Sequence, residues 1–535
     1  MVFCRRRRFP DDFGNLGPAC QSKERTRQRK PAGFLRPMTK PGKKKTRKAF
    51  LCLPALLLAV LGLPLRGAAQ NTLQGMPASS VQGDYAGSVQ AVPLTPGVRK
   101  LTLDDAIRLG LENNLAYTLA RQQQQQAAAQ KLEFINVLMP NLSLHAETGI
   151  HEYDLPAEGF HPSILPDFAG FLPPGFSLSS FPTVVKADTT QAQINMSQPL
   201  FNWAGYDVWR AARASEKAAY YNAQSARGLV VLNVGTSYLQ ALSTSAQIDY
   251  ARSLLKTDET LLNQAHEEHL AGTAANLDEL RARVQYESQE QVVISDENAF
   301  EKAKIALVRQ IGLDPGQQIQ LTEAAPYADL AVLTMGEALQ EAYSSRQDYQ
   351  SMTQQIRAAE LERKATVHQR LPTLSFSGNY GVTGISGGVF HDTFTAEGSL
   401  TVPLFKEAKF RGDRDVAEAQ LEQLRSQMAD LRNKIEQQLR DAMLDLQSDS
   451  ELVRVARSNV DLATTALEQS TERFRAGVDD NLPVVQAQST LAQAQTQYVN
   501  SVYQFNQAKL TFARSLGVVD TQYKTFLAGN ISTGR

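Results

Sequence analysis

Cysteine is almost absent from this sequence: of 535 residues only Cys4, Cys20 and Cys52 are cysteines. All three precede an expected cleavage point after about Ala69, so the mature chain carries no thiol, and disulfides, thiolate zinc sites and cysteine nucleophiles are excluded. Long apolar runs are missing as well. After Ala69 nothing approaches the ~18 consecutive apolar residues of a membrane-spanning helix. An exported chain without such a helix is either soluble or part of a β-barrel. Proline is lacking from two long stretches, residues 201–269 and 404–474. At ~1.5 Å per residue, helices of that length are rods of roughly 100 Å, too long for one globular core.

Net charge is zero only as a sum. The first 69 residues hold 17 of the 55 Lys and Arg but 3 of the 55 acids, which leaves the rest of the chain at −14. The basic segment reads as an address. From Met38, a possible true start, the chain runs "MTKPGKKKTRKAFLCLPALLLAVLGLPLRGAAQ": a positive region, an apolar stretch over 49–65, then small residues ending at Ala68 and Ala69. That is the layout of an export signal. An uncleaved anchor is disfavoured by the shortness of the run and by Pro54 and Pro64. The arginines at 5–8 carry the charge expected ahead of such a signal, so no nucleic-acid partner is inferred.

What is there is written twice. "LTLDDAIRLGLENN" at Leu101 is answered by "LTMGEALQEAYSSR" at Leu333, and "LMPNLSLHAETG" by "RLPTLSFSGNYG". "SQPLFNWAGY" returns as "TVPLFKEAKF", and "LAGTAANLDELRAR" at Leu270 returns as "RAGVDDNLPVVQAQ" at Arg475. The offset falls from 232 at Pro140 and Pro372 to 205 at Gly272 and Gly477, which places an insertion within 153–185 of the first half. The chain divides into a leader (1–69), an extension (70–100), a first repeat (101–320), a second (321–518) and a tail (519–535).

Each repeat reads as a helix, two strands, a very long helix, a tight break and a shorter helix. The strands alternate with period two. Leu142, Leu144, Ala146, Thr148 and Ile150 oppose Ser143, His145, Glu147, Gly149 and His151; residues around Asn195, Asn379 and Glu397 continue the pattern. Four strands of about 9 to 11 residues suit a tilted bilayer crossing. They cannot close a barrel alone, and an open edge is not tolerated in lipid, so subunits must pool strands, at least three of them if a channel is to remain. Within 404–474, apolar residues from Leu421 through Met428, Ile435 and Leu439 to Leu446 follow the 3-and-4 spacing of packed helices. The break between rods takes Gly272 and Gly477 as left-handed helix ends, Asn276 and Asn481 as N-caps, Asp278 and Glu279 as dipole partners, and Pro483 in a first turn.

The doubled "LP.LS", "PLF" and "AG....NL....A" segments, in this order from Leu101 to Val518, resemble the TolC-like outer-membrane efflux channels. The resemblance implies a mainly α fold with a small transmembrane β part. Three copies would form a homotrimer with a 12-stranded β-barrel, four strands per chain, continued by a periplasmic α-helical barrel. It further implies an outer-membrane location in lipid, a periplasmic adaptor and an inner-membrane transporter as partners, and neither enzymatic activity nor a cofactor. By position, Gly272, Asn276, Leu277, Asp278, Gly477, Asn481 and Leu482 become tip residues that contact the adaptor. The family's acidic residue six positions after the tip glycine is matched by Asp278, whereas the second repeat has Pro483 there. Asp479 and Asp480 either supply entrance charge in its place or merely solvate a turn. His145, Glu147, Asn195, Asn379 and Glu397 are the expected lumen groups.

Other motifs carry blander readings. "GISGG" around Ser386, with His391 and Asp392 after it, mimics a nucleophile elbow but joins two strands, not a strand and a helix. "HEEH" at 266–269 spaces its histidines three apart, where the metalloprotease pattern needs four. "RQQQQQAAAQ" at 121–130 is made of helix formers. A periplasmic coiled-coil scaffold without a channel, and a secreted hydrolase using Ser386, are the alternative classes.

Overall fold

The computed structural model describes residues 87–89, 93–154, 157, 184–323, 327–330, 333–385 and 388–529. The leader with its cysteines, most of the inserted loop and Ser386 lie outside them. The order is β1 (Arg99–Leu101), α1 (Leu103–Asn113), α2 (Leu115–Asn136), β2 (Asn141–Asp154), β3 (Val184–Phe201), α3 (Trp203–Leu270), α4 (Asn276–Ile311) and β4 (Ile319–Leu321). Then come α5 (Met335–Ser345), α6 (Gln347–His368), β5 (Thr373–Ile385), β6 (Phe390–Thr401), α7 (Glu407–Arg475), α8 (Leu482–Leu516) and α9 (Val519–Leu527).

The repeat is close in length, element by element. α1 and α5 have 11 residues each, α2 and α6 have 22, α3 and α7 have 68 and 69, and α4 and α8 have 36 and 35. One feature departs from the expected plan: the first helix of each repeat is two helices. A single extended residue splits it, Asn114 (φ −66, ψ 130) in one repeat and Arg346 (φ −68, ψ 122) in the other. The Asn114 side chain accepts from the Ala116 and Tyr117 amides and so caps the second piece. A guanidinium has no acceptor. Arg346 instead grips Asp348 through Nε at 3.1 Å and a terminal nitrogen at 2.7 Å, and reaches the Ser515 carbonyl of α8 at 3.2 Å.

Glycines close these joints. Gly312 ends α4 at φ 77 and Gly517 ends α8 at φ 87. A Cβ on Gly312 would stand 2.4 Å from Asn113 Cβ, and one on Gly517 would stand 2.7 Å from Arg346 Cα. The ends of α4 and α8 are thus seated against the breaks in the preceding helices. Around this level lies the main apolar core, where α1, α5, α9 and the parallel β1–β4 pair gather on the middle of α3 and α7 and the ends of α4 and α8. Val234, Tyr238, Ile311, Leu439, Phe505 and Phe512 are among its buried members. Along α7 the buried residues Leu421, Met428 and Ile435 recur every seven positions, as packed, gently supercoiled helices require.

β2, β3, β5 and β6 form one antiparallel sheet in that order, with β3 and β5 joining the two repeats. At 14, 18, 13 and 12 residues the strands exceed the expected 9 to 11. The β2–β3 ladder runs on past Ile150 to pair Asp154 with Val184, so the hairpin extends beyond the alternating segment. β2 and β6 are the two edges.

Candidate functional site

Two regions gather the candidate residues: the polar face of the sheet and the tips of the helical hairpins. Residues directly opposite in an antiparallel ladder point to the same face. Register therefore groups the sheet residues. Asn195 lies opposite Ser143 and Asn379, and Asn379 opposite Thr395. Glu397 lies opposite Ser377, which faces Ser197, and Glu147 lies opposite Gln191. His145 pairs with Gln193. All five expected lumen groups share one face. His145 Nε2 sits 3.0 Å from the Glu147 carboxylate, which also accepts from the Gln191 amide. Gln193 donates to Thr383, and Thr383 meets Thr393 at 3.3 Å.

The other face is apolar in the same register. Leu144, Ile194, Tyr380 and Phe394 form one row across all four strands, and Leu144 and Phe394 at its ends are 76% and 78% exposed. Where the sheet meets the helices, Phe201, Trp203, Tyr206 and Trp209 follow one another at ring distances of 5.7 to 6.0 Å. Amphipathic rings of this kind suit a membrane–water interface. Sequence reasoning missed this belt, although its signal, "FNWAGYDVW", stands directly after the "PLF" strand end.

At the tips, Gly272 (φ 72) and Gly477 (φ 69) are left-handed helix ends as expected. Their amides bond His269 and Phe474 carbonyls, and the next residues, Thr273 and Val478, bond Glu268 and Arg473 carbonyls at 2.9 and 3.0 Å. That double bond pattern is the Schellman closure. The N-cap assignments need correction. Asn276 is already the first residue of α4, Ala275 holds the cap position, and no side chain caps it. Asn481 holds the cap position of α8 but in a helical backbone conformation, from which its side chain makes no cap bond. The Leu482 amide donates instead to Asp480 at 3.3 Å. The Asn481 amide nitrogen crosses to the other repeat and donates to the Asp278 carbonyl at 2.7 Å.

Several charges at the tips are paired. Arg281 reaches Asp278 at 3.4 Å and Asp480 at 3.5 Å, bridging the repeats, and Arg473 holds Asp479 at 2.6 Å. Sequence reasoning missed both arginines, though the i,i+3 spacing of Asp278 and Arg281 was visible. His266 and His269 lie 2.8 and 3.9 Å from the two oxygens of Glu279. Among the described residues no group of three or more His, Cys, Asp or Glu is placed to hold a metal. Leu277 and Leu482 are exposed beside these pairs.

Comparison with known proteins matches this architecture. The sequence profile described as Outer membrane efflux protein fits residues 109–313 and 338–518. The chain is 27% identical over 338 residues to the pyoverdine export outer membrane protein OpmQ of Pseudomonas aeruginosa, covering 62% of this chain and 70% of that one. It is 20% identical over 356 residues to the outer membrane protein TolC of Escherichia coli, covering 63% and 71%. The open-state MtrE outer membrane channel of Neisseria gonorrhoeae superposes with a TM-score of 0.65 at 17% identity, over 81% of this chain and 91% of that one. With both repeats matched, the chain belongs to the outer membrane efflux proteins of the TolC type.

Proposed function

We propose that this chain is the exit duct of a tripartite export assembly. Three copies pool their sheets into a 12-stranded barrel in the outer membrane and their helices into a periplasmic conduit, which meets an adaptor and an inner-membrane transporter at the tips. The observation that carries this reading is the sheet itself: a greasy row from Leu144 to Phe394, a polar face from Glu147 to Glu397, and two open edges. Edges without partners are too costly in hydrocarbon, and eight strands from a dimer would fill their own interior. A coiled-coil scaffold leaves such a sheet without a use. Cargo moves passively, past the polar groups of His145, Glu147, Asn195, Asn379 and Glu397.

Gating belongs to the tips in this reading. The Arg281 bridge and the Asn481–Asp278 bond hold α8 to the start of α4 in the closed arrangement, and docking of the partners releases them. Residues Gly272, Asn276, Leu277, Gly477 and Leu482 form the surface presented to the adaptor. In cells lacking the native gene, D278C and D479C together are expected to block export under oxidising conditions and restore it on reduction. Unimpeded export by the oxidised, cross-linked protein would place the gate elsewhere.

A further inference from the structure

A small cavity lies beneath the tip, lined by residues of α3, α4, α7 and α8. Its volume is ≈ 20 Å³, room for about one water molecule. The lining is apolar except for Asp258 of α3, Gln285 of α4, and Asn481 and Gln488 at the start of α8; α7 contributes only Phe474. Asp258, Asn481 and Gln488 are 2%, 5% and 1% exposed. Only the Gln285 amide approaches Asp258, without forming a well-aligned hydrogen bond, and Oδ1 of Asn481 and Nε2 of Gln488 have no partner. The amide nitrogen of Asn481 is committed to the Asp278 carbonyl, which fixes its oxygen as the free end.

The donors and acceptors around the cavity are unmatched. Gln488 Nε2 is a donor in need of an acceptor, and Asn481 Oδ1 an acceptor in need of a donor. An ionised carboxylate offers acceptors only: it can serve Gln488, and a water can donate to it and to Asn481 Oδ1, but with no cation in the lining its buried charge stays uncompensated. A protonated carboxyl offers one donor and one acceptor, and serves both, directly or through a single water. We propose that Asp258 is a proton-binding site that fastens the first turns of α8 onto α3, so that protonation tightens the tip and deprotonation loosens it.

Burial supports proton uptake in the mildly acid range: it pushes the Asp258 carboxyl up to about 6, against a smaller opposing pull from the Gln285 amide. Among the described residues no second ionisable group lines the cavity. Of the charged groups of the tip, Asp278 and Asp480 pair with Arg281, Asp479 with Arg473, and His266 and His269 with Glu279, while Glu267, Glu472 and Arg475 stand outside the cavity lining. Because the closed form has the raised value, it binds more protons than the loosened form between the ordinary carboxylate range and about 6. Closure is therefore favoured at low pH and loses that advantage as pH rises through about 6.

Hydrogen exchange of α8's first turns in the intact, membrane-extracted protein reads this directly. Corrected for intrinsic exchange, protection is expected to be about tenfold greater at pH 5 than at pH 7. Asp258→Asn, a neutral donor and acceptor of the same shape, is expected to be protected at both pH values, and a combined His266→Gln, His269→Gln variant to keep the wild-type response. Should Asp258→Asn fail to assemble, an infrared carboxyl band titrating near 6 in the wild type decides. The proposal is overturned by equal wild-type protection at the two pH values, by a pH response that survives Asp258→Asn, by the absence of any carboxyl band titrating near 6, or by protection that follows sodium against choline at fixed pH. It rests on the tips being the duct's entrance only for its meaning. Exchange and infrared absorption require no transport, so they can fail or succeed independently of that reading.

Discussion

Glycine at the tips and glycine at the joints do different work, and single substitutions separate them. Gly272 has φ 72 and open space for at least 4 Å around the point where a Cβ would stand, whereas Gly517 has φ 87 with the Arg346 backbone at 2.7 Å. Gly272→Ala meets only the left-handed penalty of about 1 kcal/mol. Gly517→Ala adds a backbone collision and is expected to cost roughly 3 kcal/mol, read as a lower unfolding midpoint in denaturant. Equal effects at the two sites would refute the account of the joint. Lys509 offers a second test at this scale. It is fully buried, lies 4.3 Å from the centre of the Phe505 ring and donates to the Ala328 carbonyl. Burial depresses its ammonium to about 8, opposed by the charge of Asp329. The unfolded chain therefore binds more protons between about 8 and 10.5, and stability rises with pH across that window. A melting curve series should show that rise in the wild type and not in Lys509→Met.

At the scale of elements, the two faces of the sheet make opposite demands. An arginine on the lipid face of a barrel costs about 2–4 kcal/mol at mid-bilayer, while one facing the lumen alters selectivity instead. Phe394→Arg is thus expected to lower the amount of assembled protein in outer membranes, and Asn379→Arg to assemble normally and shift the conductance toward anions. Normal assembly of Phe394→Arg would show that the apolar row does not face lipid. How far such elements can be read without a structure depends on whether their cause is local. The strands and both tip glycines were legible, because period-two alternation and a left-handed helix end are properties of neighbouring residues. The breaks at Asn114 and Arg346 were not: one Asn or Arg in a helical pattern carries no breaking signal until its partners, such as Ser515, are known. The role given to Asn481 failed similarly. A cap needs the side-chain oxygen and an extended backbone, but Asn481 is helical and its side chain is turned to the other repeat, where its nitrogen donates to the Asp278 carbonyl 203 residues away. The cavity around Asp258 was equally invisible, since four separate helices build it.

For the whole molecule, duplication explains most of the design. The central pairing of the sheet, β3 with β5, unites the repeats and leaves β2 and β6 as its two free edges, the form that one section of the proposed barrel requires. The long helices then fall side by side, α3 against α4 and α8, α7 against α6 and α8, carrying the paired tips to the far end. Export function follows from this arrangement only if the section is repeated around an axis. The most direct test is electron microscopy of the full-length protein extracted from outer membranes in mild detergent. The expected result is a three-fold particle with a continuous 12-stranded barrel in which β6 of one copy pairs with β2 of the next. A monomeric particle, or an oligomer in which those edges remain unpaired, would contradict it.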